Sequence, residues 1–442
     1  MKTMMKLANL IFLMSFLFTL TPFQMSFSSV PQGDGSDPFT HGGTERNMIV
    51  VLSDIHLGAD ISYAEINKNL GALEKLLNQI KASPNVKELV IAGDLLDEWF
   101  VPAPINTYHG KDQKDFVKRI AETNKGVIDA FNSIIQEGKI LLTYVPGNHD
   151  LTITAENVSL IMPGINQARD VQGLGTYSPA AYPKIAIEHG HRYNFFCAPD
   201  PFSNQDIAPG TITPPGYFFT RIGALHVQQK FPKPGDSVKT VFPNTSGNES
   251  QQLLFGYWKT WKWAIEYLTI TNKHDEKLIV TNVDGFTGTY SVNDLLPYQK
   301  TPGGALDVHL FKGIQDTWNQ RQKHNLVGVD IPVRRAIDYA ASDDESDEQA
   351  RIQYFLNPNS DKRIVVFGHT HVPKIIPSED NNGQKCVYVN SGTWIDHNPA
   401  GKTRTFVVIT PQNDDPASQT LVKLFNIENE VATKIAEESL RY

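Results

Sequence analysis

Five apolar runs of strand length each end abruptly in a cluster of glycine, aspartate, asparagine or histidine residues. Between the first three runs, apolar residues recur at helical spacing, and this alternation of strands and helices is typical of an α/β fold. In such folds, the carboxyl ends of the strands deliver loops to one edge of the sheet, where ligands bind. The pattern therefore predicts that the five polar clusters meet at one rim.

The polar clusters carry the side chains of a metal site. In chain order they are Asp54-Ile55-His56, Gly93-Asp94-Leu95-Leu96-Asp97, Gly147-Asn148-His149-Asp150, His189-Gly190-His191 and Gly368-His369-Thr370-His371. Each cluster alone is unspecific, but together they hold six of the 13 histidines. Carboxylate, amide and imidazole ligands without thiolates suit manganese, iron or zinc. There are enough of them for two ions, and two ions ~3.5–4 Å apart promote in-line displacement at phosphorus.

Apolar periodicity also predicts the main elements. We expect strands at 48–52, 88–92, 140–145, 185–188, 364–367, 386–390, 405–409 and 421–426, and helices at 62–82 and 114–136. No helical pattern separates the last three strands, so we expect them to form a β-meander.

The stretch 194–360 differs from its surroundings in being rich in aromatic residues. It contains a helical pattern with Trp258 and Trp261 on one face and Trp263 on another. These residues fit either a cap that buries its own aromatic side chains, which we favour, or an aromatic platform for a substrate. The acidic run 342–348 is expected to be a solvated loop.

The first residues have the pattern of a secretory signal peptide. Lys2 and Lys6 precede an apolar run at 7–20, and Ser26 and Ser28 provide the small residues of a cleavage site. The run is shorter than the ~20 residues of a membrane-spanning helix, so we expect cleavage and export to the periplasm or the extracellular space rather than an uncleaved anchor. The predicted organisation is a signal peptide at 1–28, a linker at 29–45, a core at 46–193 and 361–428, an inserted cap at 194–360 and a C-terminal tail at 429–442.

Charge and cysteine content narrow the function classes. Forty Lys and Arg residues against 48 Asp and Glu residues give a net charge of −8, which argues against a broad nucleic-acid-binding surface. Cys197 and Cys386 are too few for a zinc–thiolate site. Either one disulfide or two separate thiols is compatible with the sequence. No further apolar run is long enough to span a membrane, and the oligomeric state is not readable from the sequence.

In this order, the motifs D-x-H, G-D-x-x-D, G-N-H-D, H and G-H-x-H resemble those of the calcineurin-like metallophosphoesterase superfamily, over about 46–192 and 361–428. The resemblance implies a four-layer α/β/β/α sandwich and a metal-dependent phosphoric ester hydrolase with two divalent ions, of which we favour Mn over Fe or Zn. It also implies the metal ligands, which are Asp54, His56 and His371 for the first ion, Asn148, His189 and His369 for the second, and Asp94 as the bridge.

The resemblance further implies a mechanism. A hydroxide shared by the two ions attacks phosphorus, and His149 protonates the leaving oxygen as general acid. Asp150 is expected to be catalytic by orienting this imidazole, or else to cap a following helix or turn. We expect Asp97 to hold a metal ligand rather than to be one. His191 either contacts phosphate or replaces His189 as a ligand.

The second and fourth motifs most resemble those of the branch that includes UDP-2,3-diacylglucosamine pyrophosphatase. This chain differs from that branch in its expected export and in its longer insertion. The expected substrate is a phosphate mono-, di- or pyrophosphate ester, either a small molecule or a lipid-linked or nucleotide compound. The alternative is a non-catalytic scaffold that keeps the fold and binds a partner through 194–360. Because no ligand of the family pattern is missing, we favour the enzyme.

Overall fold

The computed structural model describes residues 37–231, 238–268, 274–399, 401–413, 415 and 417–441. The predicted signal peptide, 1–28, and the first part of the predicted linker lie outside these residues. Within the described part of the chain, the search for a helix of sufficient length and hydropathy to cross a membrane found none.

The strands form two main sheets. In chain order the strands are β1 Met48–Leu52, β2 Val86–Ala92, β3 Leu141–Val145, β4 Asn166–Gln167, β5 Ile185–Ile187, β6 Ile279–Thr281, β7 Gly288–Tyr290, β8 Tyr298–Gln299, β9 Leu306–Asp307, β10 Ile364–Phe367, β11 Lys374–Glu379, β12 Lys385–Asn390, β13 Thr405–Thr410, β14 Thr420–Glu428 and β15 Val431–Leu440. The larger sheet has seven strands in the order β15-β14-β13-β1-β2-β3-β4, and the smaller has four in the order β11-β12-β10-β5. The neighbours β1, β2 and β3 are parallel, as are β5, β10 and β12.

The two sheets pack face to face between helical layers. Side chains such as Val51 of β1 and Ile187 of β5 belong to one fully buried apolar cluster. The other face of the larger sheet lies in a second cluster with helices Leu70–Ala82 and Lys125–Glu137. Helix Asp343–Ala350 contacts β12 of the smaller sheet. The layer order confirms the predicted α/β sandwich.

The remaining α-helices flank this sandwich or lie in the 194–360 stretch. They are Gln113–Thr123, Ala155–Ile161, Pro215–Gln228, Glu249–Tyr267, Val292–Leu295, Trp318–His324 and Val333–Asp338. The stretch 194–360 enters after β5 and returns at β10, which are adjacent strands of the smaller sheet. Trp258 and Trp261 are 5% and 1% exposed, so these two side chains are buried as expected. The side chain of Trp263 is outside the described atoms.

Two helical predictions were too long. Helix Leu70–Ala82 begins eight residues later than expected, because the carboxylate of Asp396 accepts hydrogen bonds from the backbone N–H groups of 67–69 and fixes a turn there. The helix expected at 114–136 is two helices, Gln113–Thr123 and Lys125–Glu137. Asn124 interrupts them and donates a 2.9 Å hydrogen bond to the carbonyl of Gly58, near the first motif.

The predicted meander and acidic loop were also wrong in part. β12 lies in the smaller sheet, and the meander consists of β13, β14 and β15 in the larger one. The expected tail at 429–442 therefore contains an edge strand. The acidic run forms helix Asp343–Ala350, capped by Ser342, because acidic residues favour the first turn of a helix and Lys374 pairs with Asp343 and Asp347.

Two further sequence questions concern single side chains. Phe39 lies in the segment expected to be a linker, yet it is buried and stacks on Phe406. Cys197 and Cys386 are both buried and not bonded to each other. The sequence allowed a disulfide or separate thiols, and the structure has separate thiols.

Candidate metal centre

The five motifs lie together at the carboxyl ends of β1, β2, β3, β5 and β10. Backbone hydrogen bonds join neighbouring motifs directly, since the N–H of Asp54 donates to the carbonyl of Gly93 at 3.1 Å and the N–H of Gly368 to the carbonyl of His189 at 3.2 Å. The parallel strands bring their ends to one rim, as the sequence predicted.

Asp54, His56 and His371 form the first group of metal-ligating atoms. Their ligand atoms all lie within 4.8 Å of one another, and all three residues are buried. His371 Nε2 is 3.0 Å from Asp54 Oδ1 and 3.2 Å from His56 Nε2. This group agrees with the ligands that the family resemblance implies for the first ion.

Asp54, Asp94 and His189 form the second group. His189 Nε2 is 3.1 Å from Asp94 Oδ2, 4.0 Å from Asp54 Oδ1 and 3.0 Å from the amide oxygen of Asn148. Asp94 Oδ2 is also 3.7 Å from His56 Nε2 in the first group. Asp94 therefore contacts both groups, as a bridging ligand must, and Asp54 belongs to both, which the sequence did not indicate.

His369 lies beside the second group without joining it. Its ring centroid is 5.2 Å from that of His189. Its backbone N–H donates to both carboxylate oxygens of Asp54, each at 3.1 Å. The backbone of His369 thus orients Asp54, whereas its imidazole is not among the closest ligand atoms.

The motif backbone is strained. Asp54, His56, Asp94, His369 and His371 all have positive φ angles, between 51° and 71°. L-residues rarely adopt this left-handed region, and such strain is concentrated at functional sites. These left-handed turns bring the motif side chains together at the rim.

Glycines in the motifs are required because backbone packs directly on the ligands. A Cβ atom on Gly147 would lie 2.2 Å from Asp94 Oδ1, and one on Gly368 would lie 2.4 Å from Asp54 Oδ2. These distances are shorter than any allowed contact. Any larger residue at either position would displace a metal-ligating carboxylate.

The two groups are anchored by outer hydrogen bonds. His189 Nδ1 is 2.9 Å from the carbonyl oxygen of Ala92. His56 Nδ1 is 3.0 Å from Asp97 Oδ2, and Glu65 Oε2 lies 3.3 Å from the same nitrogen without being hydrogen-bonded to it. Such bonds fix the ring so that the opposite nitrogen faces the metal. Glu65 was missed because it lies in a stretch read only as amphipathic helix, and no local signal marked it.

His149 lies next to the first group. Its Nδ1 is 2.8 Å from Asp97 Oδ1, and its ring stands edge-on to that of His56 at 4.5 Å. Burial by itself would lower the pKa of His149, but the charges of Asp97 and Asp94 outweigh it and raise the pKa to about 10. Asp97 therefore holds His56 and His149 together, in agreement with its expected supporting role.

Asp150 does not orient His149, so that interpretation was wrong. Its Oδ2 accepts hydrogen bonds from the N–H groups of Leu95 and Leu96 at 2.9 and 3.2 Å, and its Oδ1 accepts one from Gly147 at 2.7 Å. The side chain ties the second motif to the third, because both loops turn their amides toward it. It does not cap a helix, since the next one begins at Ala155.

His191 is not a member of either group, whereas His189 belongs to the second. The Nε2 atom of His191 is 2.8 Å from the carbonyl oxygen of Gly173, and its ring centroid is 5.3 Å from that of His189. Neither alternative raised for His191 receives support from these contacts.

The donor set fits divalent cations. Asp54 and Asp94 are buried carboxylates, and among the described residues only histidines lie within 4 Å of them as cationic partners. Two buried negative charges without Lys or Arg are costly unless a cation binds them. Carboxylate and imidazole groups are ligands that divalent metal ions accept.

Comparison with known proteins agrees with this geometry. Residues 48–234 match the family model of the calcineurin-like phosphoesterases, a span that contains the first four motifs. A comparison with curated proteins found no match. The fifth motif lies beyond the matched span and reaches the same rim through β10. This match and the buried donor set together assign residues 48–234 to a calcineurin-like phosphoesterase domain, which supports a metal-dependent phosphoric ester hydrolase.

Proposed function

We propose that the protein is an exported phosphoesterase with two divalent transition-metal ions, which hydrolyses a phosphate mono-, di- or pyrophosphate ester with His149 as general acid. One observation carries the proposal. Two groups of buried ligand atoms share Asp54, are both contacted by Asp94, and have His149 at their edge.

The residues divide into metal ligands and an acid. Asp54, His56 and His371 would hold the first ion, and Asn148 and His189, with His369 nearby, the second, while Asp94 would bridge the two. Bound ions of this kind activate water and neutralise charge on phosphoryl oxygens. Manganese is favoured, with iron and zinc as the alternatives.

In this proposal, His149 would donate a proton rather than bind metal. Asp97 accepts from Nδ1 and so fixes the ring, which leaves Nε2 to face a leaving oxygen. Trp99 covers one face of the ring at a centroid distance of 5.1 Å. Both contacts restrict the imidazole to one orientation, which general acid catalysis requires.

The central test replaces His149 by Asn and varies the leaving group. We expect unchanged metal content and a kcat about 10²–10⁴-fold lower for esters with poor leaving groups. The loss should shrink for p-nitrophenyl phosphate, whose leaving group needs little protonation. Equal losses across the series would contradict the role of general acid.

Substrate class is tested with a panel. It would comprise p-nitrophenyl phosphate, its bis-ester, nucleotides and UDP-sugars, each assayed with added Mn²⁺, Fe²⁺ or Zn²⁺ and with a chelator. Hydrolysis should need metal, and the ranking of the panel would separate mono-, di- and pyrophosphate esters. Hydrolysis by protein shown to be metal-free by elemental analysis would overturn the proposal.

The proposal that the protein is exported rests only on the signal-peptide pattern of residues 1–28. Amino-terminal sequencing of the protein from the periplasmic or extracellular fraction should begin at or near Ser29. A full-length chain recovered only from the cytoplasm would contradict it.

A further inference from the structure

We propose that the 194–360 segment positions His149 through Trp99, and that Arg221 is the residue that holds this arrangement. The inference rests on the proposed role of His149 as general acid. It begins with Trp99, which is 1% exposed and stacks on the His149 ring at 5.1 Å with an interplanar angle of 28°. A shift of the indole would therefore shift the imidazole.

Helix Pro215–Gln228 also packs against the indole. The ring of Tyr217 meets Trp99 edge-on at 6.2 Å. A Cβ atom on Gly216 would lie 3.1 Å from Cζ3 of Trp99 and 2.9 Å from the carbonyl oxygen of Phe196. The helix thus packs closely against the indole at Gly216, and this contact limits the movement of Trp99.

Arg221, on the same helix, holds the chain that follows Trp99. Its Nε donates to the carbonyl of Val101 at 2.6 Å, and its Nη2 donates to the carbonyls of Ala103 and Ile105 at 3.2 and 2.5 Å. The same Nη2 donates to the carbonyl of Val280 in β6 at 2.9 Å. One side chain therefore joins the loop after the second motif to two elements of the 194–360 segment.

The chemistry of Arg221 indicates a geometric role. It is fully buried, and within the described part of the chain no carboxylate lies within 4 Å of its guanidinium. Its charge is satisfied by carbonyl oxygens and by the hydroxyl of Tyr217 at 2.6 Å. A planar fork with five donors can hold several carbonyls at once, whereas a lysine ammonium cannot. Replacement by Lys should loosen the loop and misalign His149, and a small misplacement of a catalytic group can cost about 10²-fold in rate.

Arg321 offers a matched control. It is also fully buried in the 194–360 segment and donates to the carbonyls of Phe195 and Ala198 at 3.0 and 2.7 Å. Its described hydrogen bonds do not reach the loop that follows Trp99. Arg321→Lys should therefore lower stability by a similar mechanism without a specific effect on His149.

The experiment measures kcat and KM of the full chain for a series of aryl phosphates, together with metal content and thermal unfolding. Arg221→Lys should lower kcat at least tenfold for poor leaving groups, lower it less for p-nitrophenyl phosphate, and leave KM and metal content unchanged. Arg321→Lys should show no dependence on the leaving group. Equal profiles for the two variants would overturn the inference.

A second pair of variants covers the case in which Arg221→Lys does not fold. Trp99→Leu should reproduce the leaving-group dependence, and Trp99→Phe, which keeps a stacking ring, should restore most of kcat. Equal activity of the Leu and Phe variants would also overturn the inference.

If His149→Asn shows no leaving-group dependence, the general acid role itself fails. If it does while Arg221 and Arg321 variants behave alike, only the positioning role fails.

Discussion

The two sides of the metal centre are anchored by different chemistry. On the His56 side, formed by His56 and His371, the outer nitrogen of His56 faces the carboxyl groups of Asp97 and Glu65. On the His189 side, formed by Asn148 and His189, the outer nitrogen of His189 faces a backbone carbonyl. A carboxylate strengthens a ligating imidazole and can be shared with other groups, whereas a carbonyl cannot be removed by substitution.

With His149 as the proposed general acid, this difference would link metal binding to acid catalysis on one side only. Asp97 accepts from His56 with one oxygen and from His149 with the other. Burial would raise the pKa of Asp97, but the charge of His149 and the hydrogen bonds from both imidazoles outweigh it and hold the pKa well below the usual range. The His56 side is therefore the place where a change in metal affinity and a change in the acid are expected together.

The largest effect is expected when the contact between the two sides is removed. Asp94→Asn should release metal from both, because this carboxylate contacts His56 at 3.7 Å and His189 at 3.1 Å. Activity should fall by more than the ~10–100-fold that is typical of outer partners of a metal ligand. Elemental analysis and kcat measure the two effects, with exposed Asp129→Asn as control. If Asp94→Asn kept its full metal content and its full rate, Asp94 would not be the bridging ligand.

A smaller and one-sided effect is expected from Asp97→Asn. Metal affinity should fall ~10–100-fold on the His56 side while the His189 side keeps its ion, so that metal content approaches one ion per chain. Acid catalysis should weaken in the same variant because His149 loses its partner. Glu65→Gln, which keeps the shape of a side chain whose pKa is raised by burial and by Asp97, should change both quantities less. Equal loss of both ions would show that the two sides are not independent.

The smallest expected effect concerns Glu98, which follows Asp97 in the chain. Unlike Asp97, Glu98 has no imidazole among the described hydrogen-bond partners of its side chain. Burial raises the pKa of Glu98 to about 7, although hydrogen bonds from Thr152, Tyr108 and Gln113 oppose the shift. Below the ordinary pKa of 4.5, the carboxyl is protonated in both folded and unfolded chains. As the pH rises from there to about 7, the unfolded chain releases its proton first, so folding becomes less favourable by up to ~3 kcal/mol.

Glu98→Gln should therefore flatten the pH dependence of stability between about pH 4.5 and 7. Urea unfolding of both chains at pH 5 and pH 8 measures it. Wild type should lose more stability than the variant over this interval. An identical loss in both would mean that Glu98 is ionised in the folded protein and that its environment resembles that of Asp97.

Sequence reasoning found the centre but not its supports. The ligand residues were predicted because each follows a strand, and strands are recognisable from local apolar pattern. Asp150 was assigned to the wrong partner, since adjacency in sequence suggested His149 while its bonds go to backbone amides of two loops. Glu65 and Arg221 carried no local signal, because their importance comes from contacts with residues distant in the chain.

The sequence by itself determined the fold class, the metal-binding chemistry and the rim at which it gathers. These follow from the order of apolar runs and from the residue types after them, which are local properties. Only the tertiary structure decided that Asp54 belongs to both ligand groups, that Asp97 is shared by two imidazoles and that a distant helix backs Trp99. Those arrangements depend on left-handed backbone turns and on packing between segments far apart in the sequence, and neither is encoded in the local pattern.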